Sequence, residues 1–171
     1  MIEEAFLKFS AEKIEQLRGR IHDCVGRLDN EKIWMRHGEE DNSIGNLVLH
    51  LSGNVRQWIG SGVAGKPDIR DRDSEFAARG GLDKASLLSK LDQSVDPAIE
   101  TINTVPPSRL LDRLLIQNYD VNVMEAIYHV VEHFAQHTAQ IIFATKLLTG
   151  DDLGYYRHLS KVTTARASDR P

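Results

Sequence analysis

Three of the seven histidines, His129, His133 and His137, stand four residues apart. On a helix, positions four apart lie nearly above one another, so this spacing builds a ladder of imidazoles along one side. Two imidazoles at i and i+4 can share one cation, and Zn, Ni, Cu and Fe all accept imidazole nitrogen. The plainer reading is of polar residues on a helix margin, satisfied by hydrogen bonds. A helical projection separates the three. At about 100° per residue, Val123, Ile127, Val130, Phe134, Ile141 and Leu148 share one apolar stripe. His137 falls roughly 40° from the centre of that stripe, His133 roughly 80° and His129 roughly 120°. His133 and His137 are therefore expected at the edge of the interior, with His129 leaning toward solvent. The spacing supplies two ligands, and a third must come from elsewhere.

The element that carries the ladder is a helix over Asn122 to Leu148. It contains neither Pro nor Gly. Asn122 and Glu125 match capping-box spacing, and Gly150 suits a C-terminal cap. Before it, Ile2 to about Leu28 reads as a long helix with Phe6, Ile14, Leu17, Ile21, Cys24, Val25 and Leu28 on its apolar face. Asp29 to Asp41 reads as a loop whose Ile33 and Trp34 tuck onto the rest, since exposed they would make an apolar patch without a purpose. A second helix is expected from Ser43, a good N-cap, to Ile59, burying Ile44, Leu47, Val48, Leu51, Val55 and Trp58. His50 shares a polar strip of that helix with Asn46, Asn54 and Gln57. The strip is either a solvent-facing edge or the wall of a polar pocket; a plain surface would favour Lys and Glu.

Gly60 to Gly81 is expected as a long loop, with five glycines and the charged run Asp68 to Asp73. Loops of this length inside a compact domain are uncommon and often functional, so it is either a lid or a solvated connection. Its glycines lack the Walker pattern that would make a phosphate cradle. A third helix is expected from Asp83 to Asn103, kinked or interrupted at Pro97 and ended by Pro106-Pro107. Arg109 to Asp120 reads as irregular, with a short extended piece at Leu114 to Gln117. Leu153, Tyr155 and Tyr156 are expected to pack back on the helices. Four long amphipathic segments without a convincing strand pattern predict an all-α fold, a four-helix bundle over residues 1–158 with a long loop between helices 2 and 3. Residues 159–171, largely polar and aperiodic, are expected to form a mobile C-terminal tail.

Composition narrows the function. The chain has 171 residues, 41% of them apolar and 27% charged, as for one globular domain. A net charge of −4 provides no basic field for nucleic acid. No apolar run approaches the ~18 residues of a membrane span, and the first residues read as a charged amphipathic helix rather than a signal peptide. A single cysteine, Cys24, precludes an intrachain disulfide, so a cytoplasmic protein is expected. Cys24 lies on the apolar face of the first helix and reads as a small core residue.

The run Ile44-Gly-Asn-Leu-Val-Leu-His50, the glycine-containing loop and the late Glu132-His133-Phe-Ala-Gln-His137-Thr-Ala-Gln140 together resemble the DinB-like superfamily. The resemblance spans about residues 1–158. Ala139 stands where the family pattern has Gly. The resemblance implies a four-helix bundle in which His50 joins His133 and His137 on one divalent metal, Zn, Ni, Cu or Fe. It also implies a dimer. Consistent with that, Met124, Val131, Ala135 and Ile142 give the last helix a second apolar side. Members of this superfamily are described as thiol-dependent transferases and isomerases, so the implied activity is a metal-dependent transfer of a low-molecular-weight thiol to a small-molecule electrophile. In such a site Asn54, His129 and Gln140 would contact ligands or substrate. The alternative is a non-catalytic, stress-associated dimer that binds a metal or ligand; a purely structural bundle would leave the histidines incidental.

Overall fold

The computed structural model describes residues 1–159. The fold is mostly helical, as expected for an all-α chain. Four long helices make the frame: α1 (Ile2–Gly26), α3 (Ile44–Val55), α5 (Lys84–Thr104) and α6 (Val123–Thr149). Two short ones, α2 (Asn30–Trp34) and α4 (Arg72–Ala77), lie in the connections. Helix α1 packs against α5 and α6, and α3 packs against the same two. Their facing stripes form one core, in which Ile14, Ile21, Cys24, Val48, Leu51, Leu91, Ile102, Ile127 and Phe134 are fully buried.

The helix ends follow local chemistry. The Asn122 side chain accepts from the Glu125 N–H at 2.8 Å, and Glu125 Oε2 accepts from the Asn122 N–H at 2.7 Å, closing a capping box. Gly150 ends α6 in the left-handed conformation, φ 74°. Helix α5 runs unbroken through Pro97, against the expected interruption. The ring removes one ladder hydrogen bond, and packing along the buried Leu87, Leu91, Val95 and Ile102 face carries the helix across that gap.

Helix α3 departs most from its expected character. Every residue from Ile44 to Val55 is buried, including Asn46, His50 and Asn54. The polar strip is thus an interior wall and not a solvent-facing edge. Two glycines allow the close cover: a Cβ on Gly45 would overlap the Trp34 ring, and one on Gly53 would overlap Glu75 Oε1. The indole of Trp34 donates to the Leu82 carbonyl at 2.9 Å, and Ile33 is fully buried, so the pair does tuck in, as part of α2 instead of a loop.

The segment after α3 is also more ordered than a 60–81 loop. The helix continues through Arg56–Val63 as a π-helix, with the Ala64 N–H donating to the Ile59 carbonyl at 2.9 Å. Asp71 then caps α4. Asn46 Nδ2 donates to the carbonyls of Glu75 and Ala78, both at 2.9 Å, which fastens this segment over α3. The short extended piece expected at Leu114 to Gln117 is β1 (Arg113–Ile116), and it pairs antiparallel with β2 (Tyr119–Asn122) in a small hairpin, which was not expected. Gln117 and Asn118 turn it with φ 52° and 65°, and Ile116 packs into the space that Gly62 leaves open. Beyond α6, Leu153 is buried and the Tyr155 hydroxyl donates to Asp23 Oδ2 at 2.9 Å, whereas Tyr156 remains exposed. Of the expected mobile tail, 159–171, residues 160–171 lie outside the described residues. Among the described residues no helix is long and apolar enough to cross a membrane.

Candidate metal centre

Helices α3 and α6 pack side by side. His50, near the middle of α3, thereby faces the ladder on α6. The Nε2 atoms of His50 and His133 lie 2.9 Å apart. The ring of His137 stands nearly perpendicular to both, with centroids 5.1 Å from His50 and 4.4 Å from His133. One ring nitrogen from each of the three lies within 4.8 Å of the others, so the three can hold a metal ion. A tetrahedral site with Zn–N bonds of about 2.0 Å places its ligand nitrogens about 3.3 Å apart. Small side-chain rotations therefore take this cluster into ligand geometry.

The outer nitrogens of two rings are already engaged. His137 Nδ1 meets Gln140 Oε1 at 2.6 Å. An amide oxygen only accepts, so Nδ1 carries the proton and Nε2 is bare. His50 Nδ1 lies 3.0 Å from Glu75 Oε2 and 3.1 Å from Arg70 Nη2; the guanidinium already donates to Oε2 at 2.8 Å, and the anionic carboxylate is the stronger partner, so Nδ1 donates to Glu75. The His50 Nε2 is thus bare and accepts from His133 Nε2–H. To offer Nε2 to a cation, His133 would carry its proton on Nδ1. Ligand histidines commonly carry such an outer partner, which fixes both tautomer and ring orientation.

Glu75 was not legible as a site residue. It is held by Arg70, whose Nε donates to Oε1 at 2.9 Å and whose Nη2 donates to Oε2 at 2.8 Å. Both residues come from the charged run and short helix that read as a loop, either a lid or a solvated connection. The available signal was the composition of α3: no Lys, Arg, Asp or Glu occurs from Ile44 to Val55, as befits a helix covered on every side.

His129 also sits differently from expectation. It is half-buried, stacked on Trp58 with centroids 3.9 Å apart, and its Nε2 accepts from Asn54 Nδ2 at 3.4 Å. Its ring is nearly parallel to that of His133 at 5.3 Å, and it lies outside the three-nitrogen cluster. Asn54 Oδ1 and Trp58 Nε1 beside it are buried without a hydrogen-bond partner among the described residues. On the opposite flank the Phe76 ring lies 4.6 Å from that of His50, with the Arg72 guanidinium 4.8 Å from the Phe76 ring centre. All six predicted site residues therefore gather where α3 and α6 meet: three as a cluster, Gln140 behind His137, and Asn54 with His129 one turn away.

Comparison with known proteins places the chain in a family. A family model described as "Protein of unknown function (DUF1572)" matches residues 1–161. The chain belongs to the DUF1572 family. Its fold resembles that of a solved structure described as the conserved protein of locus from Enterococcus faecalis, with a TM-score of 0.70. The match covers 84% of this chain and 97% of that one at 15% identity, a likeness of fold alone. A search of curated proteins finds no match.

The electrostatics of this DUF1572 chain suit a cation. Burial, reinforced by the neighbouring histidines and Arg70, pushes His133 down to about 3. Burial also lowers His137, although its bond to Gln140 works the other way. His129 is lowered by burial, with Glu132 opposing. These rings are neutral near pH 7, and neutral imidazole is the ligand form. Burial pushes the Glu75 carboxyl up, but hydrogen bonds from Arg70 and His50 outweigh it and hold the group below the usual carboxylate range. Arg70 and Glu75 cancel one another, so a cation added here meets the neutral rings of His133 and His137 with a charge-balanced pair behind His50.

Proposed function

We propose that this chain is a divalent-metal protein of the DinB-like type, a four-helix bundle in which His50, His133 and His137 hold the ion. The observation that carries this is the convergence of three imidazole nitrogens from two facing helices, with two of the rings locked by acceptors on their outer nitrogens. The donor set suits Zn, Ni or Fe, borderline ions that accept imidazole. Three protein ligands leave a bound ion with an open position, where water is acidified or a thiol is held as thiolate. We read the activity as transfer of a low-molecular-weight thiol to a small electrophile, in a cytoplasmic protein. Glu75, a carboxylate against the cluster, has both oxygens engaged by Arg70 and His50, which disfavours it as a general base and fits thiol transfer better than hydrolysis. Asn54 and Trp58 carry buried polar atoms with unspent hydrogen-bonding capacity, and with His129 they form one wall for a substrate's polar group. Gln140 orients His137.

The test is metal content per protomer of protein purified without a histidine tag. His50→Ala, His133→Ala and His137→Ala should each strip the ion, and His129→Ala should retain it. Loss in His129→Ala together with retention in His50→Ala would put the site on α6 alone and refute the reading. Turnover is then sought by screening thiols against model electrophiles.

A homodimer accompanies this reading. Met124 and Ala135 are exposed on α6, beside partly buried Val131 and Ile142. Near the start of that face Phe6, Met124 and Tyr128 line an apolar cleft of about 270 Å³. A second copy would cover this side, which takes in His129 but none of the three clustered histidines.

A further inference from the structure

The 64–83 segment contributes more than cover. We propose that Glu75, held by Arg70, is a positioning residue for the ligand His50, and that docking of this segment on α3 is thereby coupled to metal binding. The inference rests on the metal reading above, and three independent observations carry it.

The first is the direction of the hydrogen bonds. The carboxylate takes the Nδ1 proton of His50, which leaves Nε2 bare and turned toward His133. Without an acceptor at Nδ1 the ring is free to exchange tautomers and to rotate, and part of its population offers no lone pair to the ion. Arg70 engages both carboxylate oxygens. That grip keeps Glu75 from swinging in as a fourth protein ligand, which would close the position a substrate needs.

The second is space reserved in the fold. Gly53, three residues after His50, leaves the room that the Glu75 carboxylate occupies. The Arg70, Glu75 and His50 side chains are 2%, 9% and 6% exposed. Burying an ion pair is a poor way to pin a segment, because desolvating two charges offsets most of their attraction. Apolar residues would serve better if pinning were the sole purpose. The pair makes sense where one of its oxygens must hold an imidazole proton.

The third is where the segment is fastened. Asn46 binds the Glu75 and Ala78 carbonyls. Gln57 donates to Asp68 Oδ2 at 2.7 Å and accepts from Arg70 Nη1 at 2.9 Å. These anchors are on α3 or its π-helical continuation, one to two turns either side of His50. Docking the segment and orienting the ring are thus one structural event. Coupling is reciprocal: whatever factor docking adds to metal affinity, metal must add to docking.

The experiment uses the full chain and Zn²⁺. Affinity is read by competition with a chelating dye, and docking by amide exchange across 64–83 with and without Zn²⁺. Two variants are compared, Glu75→Leu and the double substitution Arg70→Met with Glu75→Leu. The double variant removes both charges together and so keeps a folded comparison should the single one unfold. The expected result is a 10- to 100-fold loss of Zn²⁺ affinity, the usual cost of removing an outer partner of a ligand histidine. Zn²⁺ should slow exchange of 64–83 in the natural protein and have no such effect in the variants. A folded variant that binds Zn²⁺ within twofold of the natural protein, while His50→Ala has lost it, would overturn the positioning role and leave the metal centre standing. If His50→Ala itself binds Zn²⁺ unchanged, the metal reading fails and this inference with it.

Discussion

The metal-free protein should lose stability steeply as pH falls from 7 to 5, and His133 should account for a measurable share. Burial first, then the neighbouring His137, His50 and His129, hold this ring down to about 3. In the unfolded chain it titrates near about 6.5. Between those values the unfolded state binds a proton that the folded state refuses, so the stability from this group is fully present above about 6.5 and is lost as pH falls toward about 3. Each pH unit within that window is worth about 1.4 kcal/mol. From pH 7 to pH 5 the loss integrates to about 2 kcal/mol, or about 1 kcal/mol once solvent screening of a partly exposed ring is allowed for. His129 and His137 are depressed in the same direction and add to the total. Urea unfolding with excess chelator at pH 7, 6 and 5, on the natural protein and on His133→Gln, isolates the His133 share as a difference of slopes. Gln keeps a donor for His50 but does not titrate. Staying above pH 5 keeps carboxylate protonation out of the comparison. Equal pH slopes in the two proteins would refute the reasoning, because they would mean that His133 titrates as freely in the fold as outside it.

Gln140→Leu removes the acceptor at His137 Nδ1; Zn²⁺ affinity should fall about 10-fold by dye competition, with unfolding of the metal-free protein little changed. Phe134→Ala empties a fully buried position between the helices and should cost about 3–5 kcal/mol in urea unfolding. Gly45→Ala, which sets a methyl group against the Trp34 ring, should cost about 1–3 kcal/mol by the same measurement. Met124→Lys with Tyr128→Lys should convert a dimer into a 19.2 kDa species in sedimentation while metal content is unchanged.

How far the sequence could be read depended on how local each cause was. Helix α6 was legible end to end because its signals lie within a few residues: the Asn122–Glu125 box, the apolar stripe and Gly150. His133 and His137 followed from the same projection. His129 was misjudged although its angle was right, since an angle measures position on one helix and says nothing of Trp58 arriving from another. Of the hairpin only the first strand was legible, because its turn uses Gln117 and Asn118 at positive φ without the glycine that marks most such turns. The π-helix left no sequence mark, as a widened turn changes which carbonyl is reached and not which side chains are apolar.

The hardest part to read was the pairing of the 64–83 segment with α3, and the difficulty is physical. Taken alone, Asp68 to Asp73 is a charged run whose bland solution is hydration, and a buried Arg–Glu pair is costly enough to be a poor expectation for any loop. The cost is met only because α3 offers what the segment needs: Asn46 for its carbonyls, Gln57 for Asp68 and Arg70, the gap at Gly53 and the imidazole proton of His50. Each of these residues was visible, and Asn46, His50 and Gln57 read as part of a polar strip that was either a solvent-facing edge or the wall of a polar pocket. An uncharged helix that nevertheless carries amides, a histidine and two glycines has polar groups that water does not serve and gaps that its own side chains do not fill. Its partner must bring both polarity and bulk, and of the covering segments the charged one after α3 brings both. The absence of Lys and Glu from α3 was therefore the stronger clue to a built site, because it marks the helix on which a buried polar network has to be completed from elsewhere in the chain.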